Sequence, residues 1–384
     1  MSSASSPVVE ILPQGRRIAL LQIVLFKIFY LGLLLLALKV SPDLDEWAYE
    51  NNLGRWPVTG EPTLATYWAT WDAAHYLQLA EQGYEKGRPR CAFYPLWPAL
   101  IAAIHQLGIP TALVGVLLSN VFSGLAAWLF FLFAERKTGT LAASMALTLL
   151  LVFPGSLFFQ FPYTESLFLF LLMGLVLSLE NENNVGVVLC ALLLPLTRPS
   201  GQFLLLPLTF IVWTRRSRLS VTALLALLAG IGGYYGFMWL MTGNALEGVQ
   251  AQHFWRQNRA LSGSLLMRPV ESVQAFFNVT AWHGYTGSLL DRLMFLAFCA
   301  GLPWLWRRNK EWFWWAVALG LAPGLFNSFV SFIRFAGVIW PLVILSGEWL
   351  SQTKRPLLPG VVFFVAAMLH LWLLWEHVNF RWAG

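Results

Sequence analysis

The sequence predicts an all-α polytopic membrane protein with about eleven transmembrane helices and extracytoplasmic juxtamembrane helices in its first long loop. Of the 384 residues, 58% are hydrophobic and 11% are charged, whereas soluble globular proteins carry about 25% charged residues. Apolar runs near 20 residues recur along the chain, which is the length that crosses a bilayer. The 20 Trp and 29 Phe residues suit membrane interfaces and lipid-facing surfaces.

The apolar runs define the predicted spans, and the whole chain, 1–384, is expected to form one integral membrane domain. Two of the runs are short and flank the sequence TRPSG, which predicts a pair of short or broken helices that meet near one membrane face. The first fifteen residues are expected to be a disordered tail. The predicted spans are 19–38, 111–134, 139–160, 164–180, 184–197, 201–214, 219–241, 289–306, 311–329, 334–350 and 357–377.

The distribution of Lys and Arg predicts the orientation of these spans. The stretch 93–108 could be a full span or a re-entrant element, and its apolar part is short for a crossing. If it does not cross, the basic clusters between the later spans all fall on the same side as Arg16 and Arg17, as the positive-inside rule prefers. The loops 39–110 and 242–288 then face away from the cytoplasm, so that we expect an active site on the extracytoplasmic face. In a bacterium, the membrane would be the plasma membrane.

Charge and cysteine content exclude several classes of function. The net charge of +6 comes largely from short basic clusters between apolar runs, which orient a membrane protein and do not indicate nucleic-acid binding. The three Cys residues form neither a disulfide framework nor a metal-ligand pattern. No group of residues shows zinc or calcium spacing, so that the sequence predicts no metal ligands, and a divalent metal stays an open alternative.

The stretch WDAAHYLQLAEQGY, residues 71–84, places an acid and a histidine in the first long loop. In a helix, Asp72, His75 and Tyr76 share one face. Asp72 could accept a proton from an incoming hydroxyl, which is the task of a general base. The alternative is that Asp72 caps a juxtamembrane helix, with Trp71 and Tyr76 as interfacial anchors.

Two further motifs place charged residues at the predicted outer ends of spans. Glu165, in FPYTESLF, is an acid at the mouth of a span, where an acid is a functional candidate because its desolvation is unfavourable. The alternative is that it completes a helix N-terminus. Arg198, in LTRPSG, lies at the break between two half-helices, where it is placed either to bind an anionic headgroup or to snorkel to the interface.

The second long loop and a later span contribute candidate phosphate ligands. His253 and Arg256 recur at helical spacing beside Phe254, which describes a basic, aromatic, amphipathic element near the membrane surface. Arg334 opens the span at SFIRFAGVIWP and could close a phosphate site with Arg256. Attraction to bulk anionic headgroups is the alternative for the loop, and interfacial anchoring is the alternative for Arg334.

In their order and spacing, these motifs resemble the PIG-V type of mannosyltransferase, the family that includes the eukaryotic GPI mannosyltransferase 2 and bacterial relatives. WDAAHYLQLAEQGY is followed by AFYPLWP, PYTESLF, TRPSG and IRFAGVIWP, over residues 15 to 384. The resemblance implies a GT-C membrane fold. It further implies transfer of mannose, with inversion, from a polyprenyl- or dolichyl-phosphate mannose to an extracytoplasmic hydroxyl. This chain resembles a bacterial-type member, since it lacks the long lumenal insertions of the eukaryotic relatives.

The resemblance also implies residue roles. The essential loop Asp of the family corresponds to Asp72, the Glu of its Y-T/S-E-S motif to Glu165, and the Arg before its R-x-x-G turn to Arg198. Asp72 is then the general base, with His75 as a residue that orients it. The residues expected to contact the donor phosphate and the sugar are Arg198, His253, Arg256, Arg334, Tyr94 and Trp71. For the aromatic residues, the alternative is that they only pack against neighbouring side chains. The expected partners are a polyprenyl-phosphate sugar donor, a glycolipid or glycan acceptor, and membrane lipids; no cofactor is expected.

Two other classes of function are compatible with parts of the sequence. A membrane transporter or a flippase for a lipid-linked sugar would explain the short helix pair around TRPSG. Against this class, the charged residues gather at one predicted face, and the sequence has no paired internal repeats. A non-catalytic scaffold subunit would leave Asp72, His75 and Glu165 without a role.

Overall fold

Long apolar helices dominate the protein, for which a computed structural model describes residues 13–40, 56, 63–255, 268–326 and 329–384. Within these residues, five helices are long and apolar enough to cross a membrane. They are Gln14–Val40 (α1), Thr111–Thr138 (α5), Arg218–Thr242 (α10), Leu289–Arg308 (α13) and Leu358–Val378 (α18). These helices describe a multi-pass integral membrane protein.

Shorter helices fill the intervals between the long ones. In chain order they are Leu64–Trp68 (α2), Asp72–Gln82 (α3), Leu96–His105 (α4), Thr140–Val152 (α6), Glu165–Glu180 (α7), Asn184–Leu193 (α8), Leu205–Arg215 (α9), Glu247–Gln250 (α11), Arg268–Phe277 (α12), Lys310–Ala316 (α14), Ala322–Phe326 (α15), Phe332–Ala336 (α16) and Trp340–Gln352 (α17). Turns of 3₁₀-helix cover Pro89–Ala92, Pro154–Phe159, Leu194–Leu196, Pro199–Leu204 and Ala251–Trp255, and a π-helical turn covers Val317–Leu321.

Every predicted span contains a helix, but several of the predicted spans are not one continuous α-helix. The predicted span 139–160 ends as an α-helix at Val152 and continues from Pro154 as a 3₁₀-turn, because proline has no N–H to continue the α-helical bonds. The predicted span 311–329 contains the π-turn, and 334–350 is split into α16 and α17. The structure is therefore all-helical as predicted, while the number of crossings stays a prediction.

Short helices cover the two regions, 93–108 and 184–214, for which the sequence left open whether the chain crosses the membrane. Helix α4 has ten residues, which corresponds to about 15 Å and so to half of a hydrocarbon core of about 30 Å. Helices α8 and α9 have ten and eleven residues and are joined through 3₁₀-turns on either side of Arg198. The chain thus has a break between two short helices where the sequence places TRPSG.

Packing inside the bundle is tight, and apolar side chains also cover its outside. Phe130 on α5, Phe168 on α7 and Trp340 on α17 are fully or almost fully buried and belong to one hydrophobic core. By contrast, Ile28 and Phe29 on α1 are both 65% exposed. An apolar outer surface of this kind is expected when the solvent is lipid.

Basic side chains from several helices are linked by ion pairs at one end of the bundle. Glu180, at the C-terminal end of α7, contacts Lys137 at 2.5 Å and Arg215 at 3.4 Å. Arg215 also contacts Glu311 at 2.5 Å. Glu165 begins the same helix, and fifteen residues at 1.5 Å per residue separate the two glutamates by about 22 Å. We call the Glu180 end the basic end.

Some predicted features lie outside the described residues. They are Arg256, the first twelve residues of the predicted tail, and residues 41–55 and 57–62 of the first long loop.

Candidate active site

Four charged residues from four separate segments meet at the end of α7 opposite the basic end. Asp72 is the first residue of α3, and Glu165 is the first residue of α7. Arg198 lies between the 3₁₀-turns that join α8 to α9, and Arg334 is the central residue of α16. The sequence predicted all four as candidate site residues, and the fold brings them together.

The four side chains form a continuous chain of ion pairs. Nη1 of Arg334 donates to Oδ2 of Asp72 at 2.5 Å, and Nε of the same guanidinium donates to Oε1 of Glu165. Nη1 of Arg198 lies 2.9 Å from the same Glu165 oxygen. We call Asp72, Arg334, Glu165 and Arg198 the four-residue cluster. Its two acids and two guanidinium groups balance in formal charge.

Accessibility differs sharply along the cluster. The Glu165 side chain is 0% exposed, and the side chains of Arg198 and Arg334 are 6% and 7% exposed. The Asp72 side chain, in contrast, is 32% exposed. Asp72 is therefore the accessible acid of the cluster, while Glu165 is enclosed with its two arginine partners.

Aromatic rings enclose both guanidinium groups. Arg334 lies over the Tyr163 ring, 4.6 Å from its centroid, and 5.2 Å from the centroid of Phe158. Arg198 lies 5.0 Å from the Phe335 centroid and 5.6 Å from that of Phe168. Cation–π contacts strengthen when they are desolvated, as here. These rings stabilise the cations and help to bury the ion pairs.

Tyr163 was not among the predicted site residues, although it lies in the PYTES motif. Its hydroxyl donates to the carbonyl of Thr70 at 2.9 Å, so that it ties the Glu165 segment to the Asp72 segment. Its ring makes the cation–π contact with Arg334. The signal in the sequence was its position two residues before the mouth acid Glu165, in a motif already selected for that acid.

The backbone is strained next to two members of the cluster. Trp71, immediately before Asp72, has φ +55° and ψ −125°. Phe329 and Ser331, just before Arg334, have φ values of +64° and +60°. Positive φ is uncommon for non-glycine residues and is a genuine outlier for a bulky one. Such strain persists where surrounding contacts determine the geometry, often at functional sites.

The strained Trp71 is held by the C-terminal segment. Its ring makes an edge contact with Trp382 at 5.4 Å between centroids, and Trp382 packs against Tyr285 at 4.8 Å. The indole N–H groups of Trp71 and Trp382 are both buried without a hydrogen-bond partner among the described residues. Trp71 therefore borders the cluster, with its ring in an aromatic stack.

Gly155 allows the Arg334 segment to approach the 3₁₀-turn Pro154–Phe159. A Cβ atom at this glycine would collide with the carbonyl oxygen of Ile333 and would lie 3.1 Å from Cα of Arg334. Glycine is needed here because two backbones touch. The position of Arg334 thus depends on this contact.

His75 is packed inside the protein. Its ring stacks on Phe93 with 4.7 Å between centroids and 21° between planes, and the residue is 6% exposed. Burial lowers the pKa of His75 to about 4, while the nearby Asp72 charge partly offsets this shift. The imidazole is neutral at pH 7. Its predicted role in orienting Asp72 stays a prediction.

The remaining predicted ligands have other contacts. Tyr94 stacks on Tyr234 at 4.1 Å, and its hydroxyl accepts a hydrogen bond from Gln202 at 2.8 Å. His253 is exposed, and its Nδ1 donates to the carbonyl of Gln250 at 2.8 Å. Among the contacts of the described residues, none joins Tyr94 or His253 directly to the four-residue cluster. Within the same residues, His, Cys, Asp and Glu side chains form no group of three or more that could hold a metal ion.

Comparison with known proteins adds one family and one structure. A profile described as mannosyltransferase (PIG-V) matches residues 58–228, a range that includes Asp72, Glu165 and Arg198. No curated protein matches the chain. Among solved structures, the chain is similar to the archaeal oligosaccharyltransferase AglB from Archaeoglobus fulgidus, in complex with an inhibitory peptide and a dolichol-phosphate. The identity is 11%, the match covers 91% of this chain and 55% of that chain, and the TM-score is 0.38.

The chain thus spans about half the length of that oligosaccharyltransferase, and at this TM-score we base no argument on the likeness. Residues 58–228, fewer than half of the 384 residues, match the mannosyltransferase (PIG-V) family.

Proposed function

We propose that the protein transfers mannose from a polyprenyl- or dolichyl-phosphate mannose to a hydroxyl of a glycolipid or glycan. The observation that carries this proposal is the four-residue cluster, in which an accessible acid is joined to two buried guanidinium groups. An inverting transfer needs a base for the acceptor hydroxyl and positive charge for a phosphate leaving group. The cluster supplies both kinds of group within one site.

In the proposed reaction, the acceptor oxygen attacks the anomeric carbon of the donor and its proton passes to Asp72. The bond between the anomeric carbon and the phosphate oxygen breaks, and its electron pair remains on the phosphate. The products are the mannosylated acceptor, with inverted configuration, and the polyprenyl phosphate. Inversion follows from attack on the face opposite the leaving group.

The ion pair between Asp72 and Arg334 couples the two halves of this reaction. While Asp72 is ionised, its charge balances that of Arg334 at 2.5 Å. Once Asp72 has taken the proton, the guanidinium loses this balance at the moment when the phosphate gains negative charge. Electrostatic stabilisation of developing charge is strong in a site that excludes water. Arg334 is therefore proposed as the main phosphate partner, with Arg198 as the second.

Sidedness is also part of the proposal. The basic end lies about 22 Å from Glu165 along α7, and it collects Lys137 and Arg215. Basic loops favour the cytoplasmic face of a membrane. The cluster would then open on the extracytoplasmic face, which is where lipid-phosphate sugar donors, rather than nucleotide sugars, would be presented.

The test is a donor panel with the purified protein in lipid nanodiscs. Radiolabelled polyprenyl-phosphate mannose, polyprenyl-phosphate glucose and GDP-mannose are each incubated with a membrane glycolipid extract or with soluble glycans. We expect a labelled covalent product with polyprenyl-phosphate mannose alone. Absence of product with every polyprenyl-phosphate sugar would reject the proposal. Labelled donor that crosses a sealed vesicle without a product would favour a flippase.

A further inference from the structure

A buried acid outside the four-residue cluster contacts the segment that carries Arg334. Asp291, in the first turn of α13, is 0% exposed. Its Oδ1 accepts a hydrogen bond from the backbone N–H of Ile333 at 2.8 Å. Ile333 directly precedes Arg334, so that Asp291 acts on the backbone next to the central cation of the cluster.

Helix α16 requires such an external contact. It has five residues, and isolated helices of this length are unstable because nucleation is unfavourable. Its N-cap residue, Ser331, is in the left-handed conformation and makes no side-chain capping bond. The first N–H groups of a helix have no partner inside the helix and need one outside it. Asp291 supplies a carboxyl oxygen from α13 as an acceptor at this end.

Asp291 is itself held in place by the preceding turn. Ser288 is the N-cap of α13, and its hydroxyl accepts the N–H of Asp291 at 3.2 Å. Nδ1 of His283 lies 3.2 Å from the Ser288 hydroxyl and 3.6 Å from Oδ2 of Asp291. Oδ2 has no hydrogen-bond partner among the described residues, so that the carboxylate is fixed mainly through its bond to Ile333.

We propose that Asp291 is a positioning residue that holds Arg334 in register with Asp72 and Glu165. Its carboxyl group accepts a backbone N–H in the first turn of α16, next to the left-handed residue Ser331. The Arg334 guanidinium is then placed to contact both Asp72 and Glu165. Asp291 reaches no reacting group itself and acts through Arg334. The inference rests on the proposed function only for its effect on transfer, because the position of Arg334 is measurable without it.

Two variants, Asp291→Asn and Asp291→Ala, distinguish the effect of the hydrogen bond to Ile333 from the effect of the side-chain charge. Asp291→Asn retains an oxygen that can accept the Ile333 N–H, whereas Asp291→Ala removes the acceptor and leaves a buried N–H unpaired. We expect Asp291→Ala to lower the transfer rate about tenfold, and Asp291→Asn to stay within about threefold of the parent enzyme. Equal losses in the two variants, at equal melting temperature, would overturn the proposal.

A double-mutant cycle tests whether the effect passes through Arg334. The Arg334→Lys variant has no guanidinium for Asp291 to position. In this background, we therefore expect Asp291→Ala to lower the transfer rate by less than about twofold. Losses that multiply independently would contradict a role exerted through Arg334.

A readout independent of activity is the Nε–H signal of Arg334 in protein labelled with ¹⁵N-arginine, assigned by its absence in Arg334→Lys. We expect this protected signal to persist in Asp291→Asn and to broaden or exchange faster in Asp291→Ala. An unchanged signal in folded Asp291→Ala would overturn the positioning role. If Asp291→Ala does not fold, Ser288→Ala takes its place with the same expected and contradicting results.

The matched control is Ser272→Ala, which removes a different side-chain-to-backbone hydrogen bond, the one that the Ser272 hydroxyl donates to the carbonyl of Leu325 in the neighbouring segment. We expect the Arg334 signal to be unchanged in this control. A similar change in Ser272→Ala would show a general loosening and overturn the specific role. Complete absence of transfer in the parent enzyme, with the signal behaving as expected, would reject the proposed function and leave the positioning intact.

Discussion

Glu165 is the one residue of the cluster that contacts both guanidinium groups. Its Oε1 lies against Arg334 and Arg198, while its Oε2 has no hydrogen-bond partner among the described residues. Two cations that share one oxygen would repel each other without its charge. The buried carboxylate therefore sets the distance between the two arginines.

We expect Glu165→Gln to destabilise the protein by about 3–5 kcal/mol and to abolish transfer, because removal of one partner leaves buried charge uncompensated. Thermal unfolding in detergent and the transfer assay measure the two effects. The control is Glu85→Gln, which breaks the exposed pair with Arg88 at 2.9 Å and should change neither. Normal transfer by Glu165→Gln would show that the carboxylate charge does not organise the arginines.

His75 gives the protein a pH-dependent contribution to stability. Its pKa is about 4 in the folded protein against 6.5 for an unperturbed histidine, because burial disfavours the charged form. The unfolded chain therefore binds the proton first as the pH falls. The contribution is complete above pH 6.5 and is lost as the pH falls toward 4.

The matching experiment compares the parent protein with His75→Phe, in which the stack on Phe93 is kept and the titrating group is removed. Between about pH 7.5 and about pH 4.5, we expect the melting temperature of the parent protein to fall more steeply than that of the variant. Parallel curves would mean that His75 does not titrate with a lowered pKa.

At the scale of elements, close contacts decide where the charged residues lie. Helix α16 is short and strained at its start, so that its position depends on the neighbouring 3₁₀-turn at Gly155 and on Asp291. Neither contact is visible in the sequence, since Gly155 and Asp291 lie far from Arg334 along the chain. Motif spacing therefore selected the four charged residues that meet in the structure, but it did not predict the contacts that hold them there.

Arg334 shows this difference most clearly. The sequence indicated an outer-facing cation and suggested Arg256 as its companion at a phosphate, and Arg256 lies outside the described residues. The observed partners are Asp72 and Glu165, which come from segments 262 and 169 residues away in the chain. Pairings of that separation depend on helix packing, which periodicity alone does not specify. The candidate residues were predictable, and the ion-pair network was not.

We expect Gly155→Ala to lower transfer at least tenfold, because the added methyl group would push the backbone at Ile333 and move Arg334. Initial rates with saturating donor measure the loss. The matched control is Gly32→Ala on α1, where an added Cβ meets no atom within 4 Å. Equal rates for Gly155→Ala and the parent protein would show that α16 tolerates displacement.

At the scale of the whole molecule, two groups of ion pairs lie near opposite ends of α7. One end carries basic residues paired with Glu180 and Glu311, and the other carries the four-residue cluster. The helical class, the apolar surface and the positions of most helices were predictable from hydropathy, because these depend on local composition. Breaks at Pro154 and at the π-turn depend on local backbone geometry, and they interrupted two of the predicted spans.

Cysteine labelling tests the proposed orientation of the two ends. In a variant without native cysteines, we expect Arg88→Cys to react with an impermeant maleimide in intact cells, and Arg308→Cys to react only after permeabilisation. Both side chains are exposed, at 53% and 46%, so that access depends on the side of the membrane. The reverse pattern would place the cluster on the cytoplasmic face.

The most direct measurement of the central claim is a single-turnover experiment with purified enzyme and labelled polyprenyl-phosphate mannose. Parent enzyme, Asp72→Asn and Asp72→Ala are compared for donor binding and for product after addition of acceptor. We expect both variants to bind the donor within about tenfold of the parent affinity and to form product more than about a hundredfold more slowly, as for loss of a general base. Product formation at the parent rate in Asp72→Asn would contradict the account, since the cluster would then contain no base.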